Sequence, residues 1–141
     1  MQKILVIGTR SQAEKLPIAF SIIKDLLDSS TIEFDKILVN DVIDIATAIG
    51  IILENSEYDG ILAVVEYEAK TQVQDILFRE AIRGLNDVGI YFSLPLSIIA
   101  IEDQQVDADR LKKSVEGCLE LVKIKNLYTN FSDEQVKGYK N

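Results

Sequence analysis

Between Tyr58 and Leu85 the chain reads YDGILAVVEYEAKTQVQDILFREAIRGL, and the polar middle of this stretch, Glu66 to Thr71, gathers its reactive side chains. Glu66 and Glu68 are carboxylates two residues apart at a strand end, a pairing that serves acid/base work or is simply solvated. Lys70 adds a cation, and Thr71 a hydroxyl directly before a helical pattern. Strand ends and helix N-termini converge at such a place in α/β proteins, so a ligand is expected to touch this segment. Histidine is absent from all 141 residues. That removes Ser-His and Cys-His catalysis, His-containing metal sites and imidazole proton transfer. Protons must then move through carboxylate, lysine, tyrosine, hydroxyl, water or the substrate itself. Asp41 and Asp44 open another helical pattern, where they suit the helix dipole or contact a ligand.

These groups need elements to hold them. Gly60 to Val65 is an unbroken apolar run, as expected of a strand buried on both faces. After it, Val73, Ile76, Leu77, Ala81 and Leu85 fall on one side of a helix that Asn86 to Gly89 is expected to end. Lys3 to Ile7 reads as a first strand, Gly8 to Arg10 as a turn, and Ser11 to Glu14 as a capping box opening the first helix. Pro17 implies that this helix starts later or kinks. Gly8 to Ser11 lacks the spacing of a phosphate loop. Asp35 to Val39 reads as the second strand and Leu94 to Ile101 contains the fourth, with helical patterns from Val42 to Leu53 and from Leu111 to Val122. Residues 126–141 form a polar tail, frayed or packed on a partner. Four strands alternating with four helices predict one α/β domain over residues 1–125, a flavodoxin-like three-layer αβα sandwich with a four-stranded parallel sheet.

Composition agrees with one packed domain, at 48% apolar residues. A net charge of −8 opposes nucleic acid or an anionic membrane as partner and favours solubility. The opening MQKILVIG is too short for a signal peptide and no apolar run approaches a membrane span, so a cytoplasmic setting is expected. The single cysteine, Cys118, reads as a buried thiol in a helix. Nothing implies a metal or a redox cofactor.

The order and spacing of several stretches resemble lumazine synthase over about residues 3–125. YDGILAVV is similar to that family's third strand, and FREAIRGLNDVGI to its NEAARGLMD-type helix followed by Gly-Ile. IIAIED is similar to its VLTTEN, Arg110 stands eight residues after Glu102 where the family has an arginine, and Lys113-Ser114 resembles its Lys-Gly. Some family motifs differ here. Ser11 takes the place of a stacking aromatic, and Asp41-Val42-Ile43-Asp44 replaces Gly-Ala-x-Glu. Val73 stands where the catalytic histidine would be, and Leu96 represents the neighbouring subunit's aromatic.

The resemblance implies a transferase of riboflavin biosynthesis, 6,7-dimethyl-8-ribityllumazine synthase, that condenses 5-amino-6-(D-ribitylamino)uracil with 3,4-dihydroxy-2-butanone 4-phosphate. It implies small-molecule substrates, no cofactor, and a homo-pentamer or larger assembly with sites between subunits. Substrate contacts would come from Ser11, Val42, Ile43, Asp44 and Leu96, and phosphate contacts from Lys70, Thr71, Arg110 and Lys113. Leu96 and Arg110 would serve the site of a neighbour. With histidine absent, Glu66, Glu68 and Lys70 are the candidates for shuttling protons. The alternative is a non-catalytic relative that keeps the assembly or a ligand. An unrelated phospho-accepting receiver would need clustered acids after the first strand, and Gly8-Thr9-Arg10 supplies none.

Overall fold

The computed structural model describes residues 2–68 and 70–140, with side chains as far as Thr129. Strands β1 (Lys3–Thr9), β2 (Glu33–Val39), β3 (Gly60–Tyr67) and β4 (Leu96–Glu102) form one parallel sheet in the order β2-β1-β3-β4. This is the flavodoxin-like order, whose switch point lies between β1 and β3. Helices α1 (Arg10–Lys15) and α2 (Pro17–Ser29) join β1 to β2, and a 3-10 turn (Val42–Asp44) with α3 (Ile45–Asn55) joins β2 to β3. Helix α4 (Gln72–Phe92) leads to β4, and α5 (Ala108–Lys140) follows it.

Alternation along the strands sorts side chains into two cores. Ile4, Val6, Leu62 and Val64 meet Phe20, Ile23 and Leu27 of α2 and Leu111, Val115, Cys118 and Val122 of α5. Leu5, Ile7, Ile61, Ala63 and Val65 meet Ile45 and Ile49 of α3 and Leu85 of α4. Helices therefore cover both faces of the sheet, as the apolar runs of β1 and β3 require. Gly60 permits the close approach of β3 to α5, since a Cβ there would stand 2.9 Å from Val122 and 3.2 Å from the Cys118 sulfur.

Several local expectations change, while the break expected at Pro17 is seen. The first helix is capped by Thr9, whose hydroxyl accepts from the Gln12 amide, rather than by Ser11. The chain then breaks at Leu16, and Pro17 opens α2 at its first position, where its missing N–H is harmless. Glu66 and Tyr67 belong to β3, not to a turn, because they pair with Ile101 and Glu102 of β4. Helix α4 passes Asn86 to Gly89 and stops at Ser93, which takes the left-handed conformation at φ 50°. Val88, half-buried in the second core, draws the helix onward. Its amino-terminal apolar residues do not face the core: Val73, Ile76 and Leu77 are 64, 52 and 41% exposed.

Candidate functional site

The carboxyl ends of β1 and β3 open into a cleft of about 330 Å³, near the lower end of the roughly 300–1,000 Å³ usual for small-molecule pockets. Helix α1 contributes Ser11 and Lys15, the segment after β2 contributes Asn40, Asp41 and Val42, and the end of β3 contributes Glu66, Tyr67 and Glu68. Helix α4 closes it with Gln74, Leu77 and Phe78. The wall is thus partly apolar, with carboxylates, two amides and one lysine lining it.

Glu66 joins the two central strands. One of its carboxylate oxygens accepts from the Ser11 hydroxyl at 2.9 Å and from the buried Thr9 hydroxyl at 3.3 Å. Ser11 sits on α1 because Thr9 caps that helix, so one local cap sets the geometry of both hydroxyls. The Tyr67 hydroxyl donates to Asp75 at 3.0 Å, which raises its pKa, and its ring packs on Phe78 with centroids 4.3 Å apart. Glu68 accepts from the Gln104 side-chain amide at 2.7 Å and lies 3.8 Å from the Lys70 ammonium. The Gln104 hydrogen bond first, and then the charges of Lys70 and Lys15, hold its carboxyl below the usual carboxylate range. Glu68 is therefore a carboxylate at neutral pH, able to accept a proton and unsuited to donate one.

Other expected site residues have local duties. The Thr71 hydroxyl caps α4 by accepting from the Gln74 amide at 3.1 Å, while the Gln74 side chain accepts from the Lys70 amide at 3.0 Å. Asp41 caps the 3-10 turn through a 3.4 Å bond from the Ile43 amide. Asp44 and Ile43 are exposed beside it. Arg110 is exposed and lines a different cleft, between the end of β4 and α5, together with Glu102, Asp103 and Asp107. Three carboxylates around one guanidinium make a poor phosphate site within this chain. Lys113 is exposed on α5. Leu96 begins β4 and pairs with Ile61, at the end of the sheet opposite Glu66.

Of the residues picked out in the sequence, the fold thus brings Ser11, Asp41, Val42, Glu66 and Glu68 into one cleft, with Lys70 beside it through Glu68. Within one chain it leaves Leu96, Arg110 and Lys113 elsewhere. Sequence reasoning missed Lys15, Asn40, Gln74 and Phe78 as cleft residues. Thr71-Gln72-Val73-Gln74 has the capping-box pattern, a signal that could have found the role of Gln74. It also missed Gln12, which is fully buried, its side-chain amide lacking a hydrogen-bond partner among the described residues. Among those residues no group of three or more metal-ligating side chains could hold an ion, and no helix is long and apolar enough to cross a membrane.

No family model and no curated protein matches the chain. Among solved structures, it is similar to a candidate lipoprotein fragment from Peptoclostridium difficile 630, at 16% identity and a TM-score of 0.55 over 88% of this chain and 99% of that one. A de novo designed Rossmann fold protein aligns at 8% identity and a TM-score of 0.49, over 82% of this chain and 95% of the design. The lactose-specific IIB component domain of the phosphoenolpyruvate:carbohydrate phosphotransferase system from Streptococcus pneumoniae aligns at 16% identity and 0.40, over 86% and 93%. The first likeness is one of fold alone, and none of the three is named a lumazine synthase.

Proposed function

We propose that the chain is a divergent 6,7-dimethyl-8-ribityllumazine synthase acting in a homo-pentamer or larger ring of copies, with its substrates held at the carboxyl ends of β1 and β3. One observation carries this reading. Ser11, Val42 and Glu66 to Glu68 come from three separate stretches of sequence that the family resemblance marks, and they meet in one cleft. The strand order supports it, because ligands of open α/β sheets bind where the order reverses.

In the condensation an amine attacks a ketone and loses water to give an imine, phosphate leaves, and the ring closes with loss of a second water. The reacting groups belong to the substrates, so alignment is the protein's main task. Orientation alone supplies effective molarities of about 10⁵ to 10⁸ M, whereas a positioned acid or base adds about 10² to 10⁴. Glu68 is the carboxylate placed to accept a proton as the amine attacks, and its hydrogen bond from Gln104 makes it a weaker base than an unpaired carboxylate. Ser11 and Asn40 offer hydrogen bonds to the uracil and ribityl groups, and Leu77 and Phe78 an apolar wall. Lys70 and the backbone at the start of α4, with Arg110 and Lys113 of a neighbouring copy, would meet the phosphate.

A second reading, a non-catalytic relative that keeps a ligand or the assembly, is favoured by specific contacts. The Thr71 hydroxyl is engaged as a helix cap, Val73 replaces the imidazole, and Arg110 lies among three carboxylates. Mixing the purified protein with both substrates and following lumazine absorbance separates the two. Product formation above the uncatalysed rate, saturating in both substrates, is expected. A rate equal to the protein-free control would leave the non-catalytic reading.

A further inference from the structure

Helix α5 carries two apolar seams. One, made of Leu111, Val115, Cys118 and Val122, is buried against the sheet, and Val122 is its last member among the described side chains. The other begins beside it with Leu121, Ile124, Leu127 and Tyr128, which are 46, 44, 64 and 64% exposed. Leu121, Ile124 and Tyr128 follow the three-then-four spacing of coiled-coil a and d positions, and Phe131 continues it in the sequence.

We propose that this second seam is a self-association surface, on which a second copy of the chain lays its own α5 in parallel. The charges select that occupant. With Leu121 and Tyr128 at a and Ile124 at d, Glu120 falls at g and Lys125 at the next e. In a parallel pair, g of one helix faces e of the following heptad on the other, so each Glu120 meets the Lys125 of the second copy. An antiparallel pair sets g beside g and e beside e, and loses that match. Neither residue forms an ion pair within its own chain among the described residues. The seam also borders an apolar groove formed with Ile90, Leu94 and Leu96, which gives the arriving helix further apolar surface. From Lys123 to Thr129 no side chain of this helix is buried, and a second copy supplies that stretch with packing. The proposal does not depend on how the cleft at β1 and β3 is read.

Sedimentation equilibrium of the full chain tests it. Reversible, concentration-dependent association is expected, and Ile124→Asp should weaken it at least about tenfold while circular dichroism stays unchanged. Glu120→Lys and Lys125→Glu should each weaken association, and the two together should restore it. Ile124→Cys should give a disulfide-linked pair on oxidation, because d faces d in a parallel arrangement. A monomer at every concentration would overturn the proposal. So would association that Ile124→Asp leaves intact, single charge reversals that the double variant does not rescue, or failure of Ile124→Cys to cross-link. A monomer would also remove the ring of copies in the proposed function, whereas the other three outcomes bear on the α5 seam alone.

Discussion

Glu66 is the residue on which the cleft turns. Its carboxylate is the shared acceptor for Thr9 and Ser11, so it positions the end of β1 against the end of β3. Glu66→Ala would leave the buried Thr9 hydroxyl without that acceptor and is expected to cost about 1–3 kcal/mol in urea denaturation. Glu66→Gln keeps an acceptor oxygen and should cost less. Gln12 predicts the opposite sign. Its buried amide makes no side-chain hydrogen bond among the described residues, so Gln12→Met should be neutral or stabilising by about 1 kcal/mol, read as a rise in thermal midpoint. Cys118 gives a pH test. Burial pushes its thiol from 9.0 up to about 11, and the folded state therefore favours the protonated form. The unfolded chain releases that proton first, so stability should fall as pH rises from about 9 to about 11. Tyr58, pushed up to about 12 by burial and then by its hydrogen bond to Asp35, adds to the same trend. Denaturation midpoints at pH 8 and pH 10.5 check this, and Cys118→Ala should reduce the drop.

At the scale of elements, Thr71 separates structure from chemistry. Its hydroxyl caps α4, so Thr71→Ala should cost about 1 kcal/mol of stability. Thr71→Asp keeps a good cap and adds negative charge, so it should hold the midpoint while weakening any phosphate ligand, which inorganic phosphate titrations would show. Gly60→Ala should destabilise by about 1–3 kcal/mol, since the new methyl meets Val122 at 2.9 Å. The strands were legible in the sequence because β1 and β3 are buried on both faces and admit little but apolar residues. Helix ends were less so. The end of α4 is set by half-buried Val88 and the left-handed Ser93, and Asn86 to Gly89 gives no local sign of either. The exposure of Val73, Ile76 and Leu77 was hidden for a similar reason: apolar spacing says that a face wants cover, and not what covers it.

For the whole molecule, the order β2-β1-β3-β4 decides what can meet. It sets Ser11 beside Glu66 across 55 residues of chain, a contact that no local pattern announces. Leu96, at the amino end of β4, lies at the far end of the sheet from Glu66, so under the proposed function it would serve only a neighbouring copy. The proposed function puts the lumazine precursor in the cleft at the carboxyl ends of β1 and β3. Titrating 5-amino-6-(D-ribitylamino)uracil into isotope-labelled protein and following backbone amide shifts tests it directly. Saturable shifts centred on Ser11, Asn40 to Val42, and Glu66 to Glu68 are expected. An absence of shifts at saturating uracil, or shifts centred on Arg110 between β4 and α5, would contradict it.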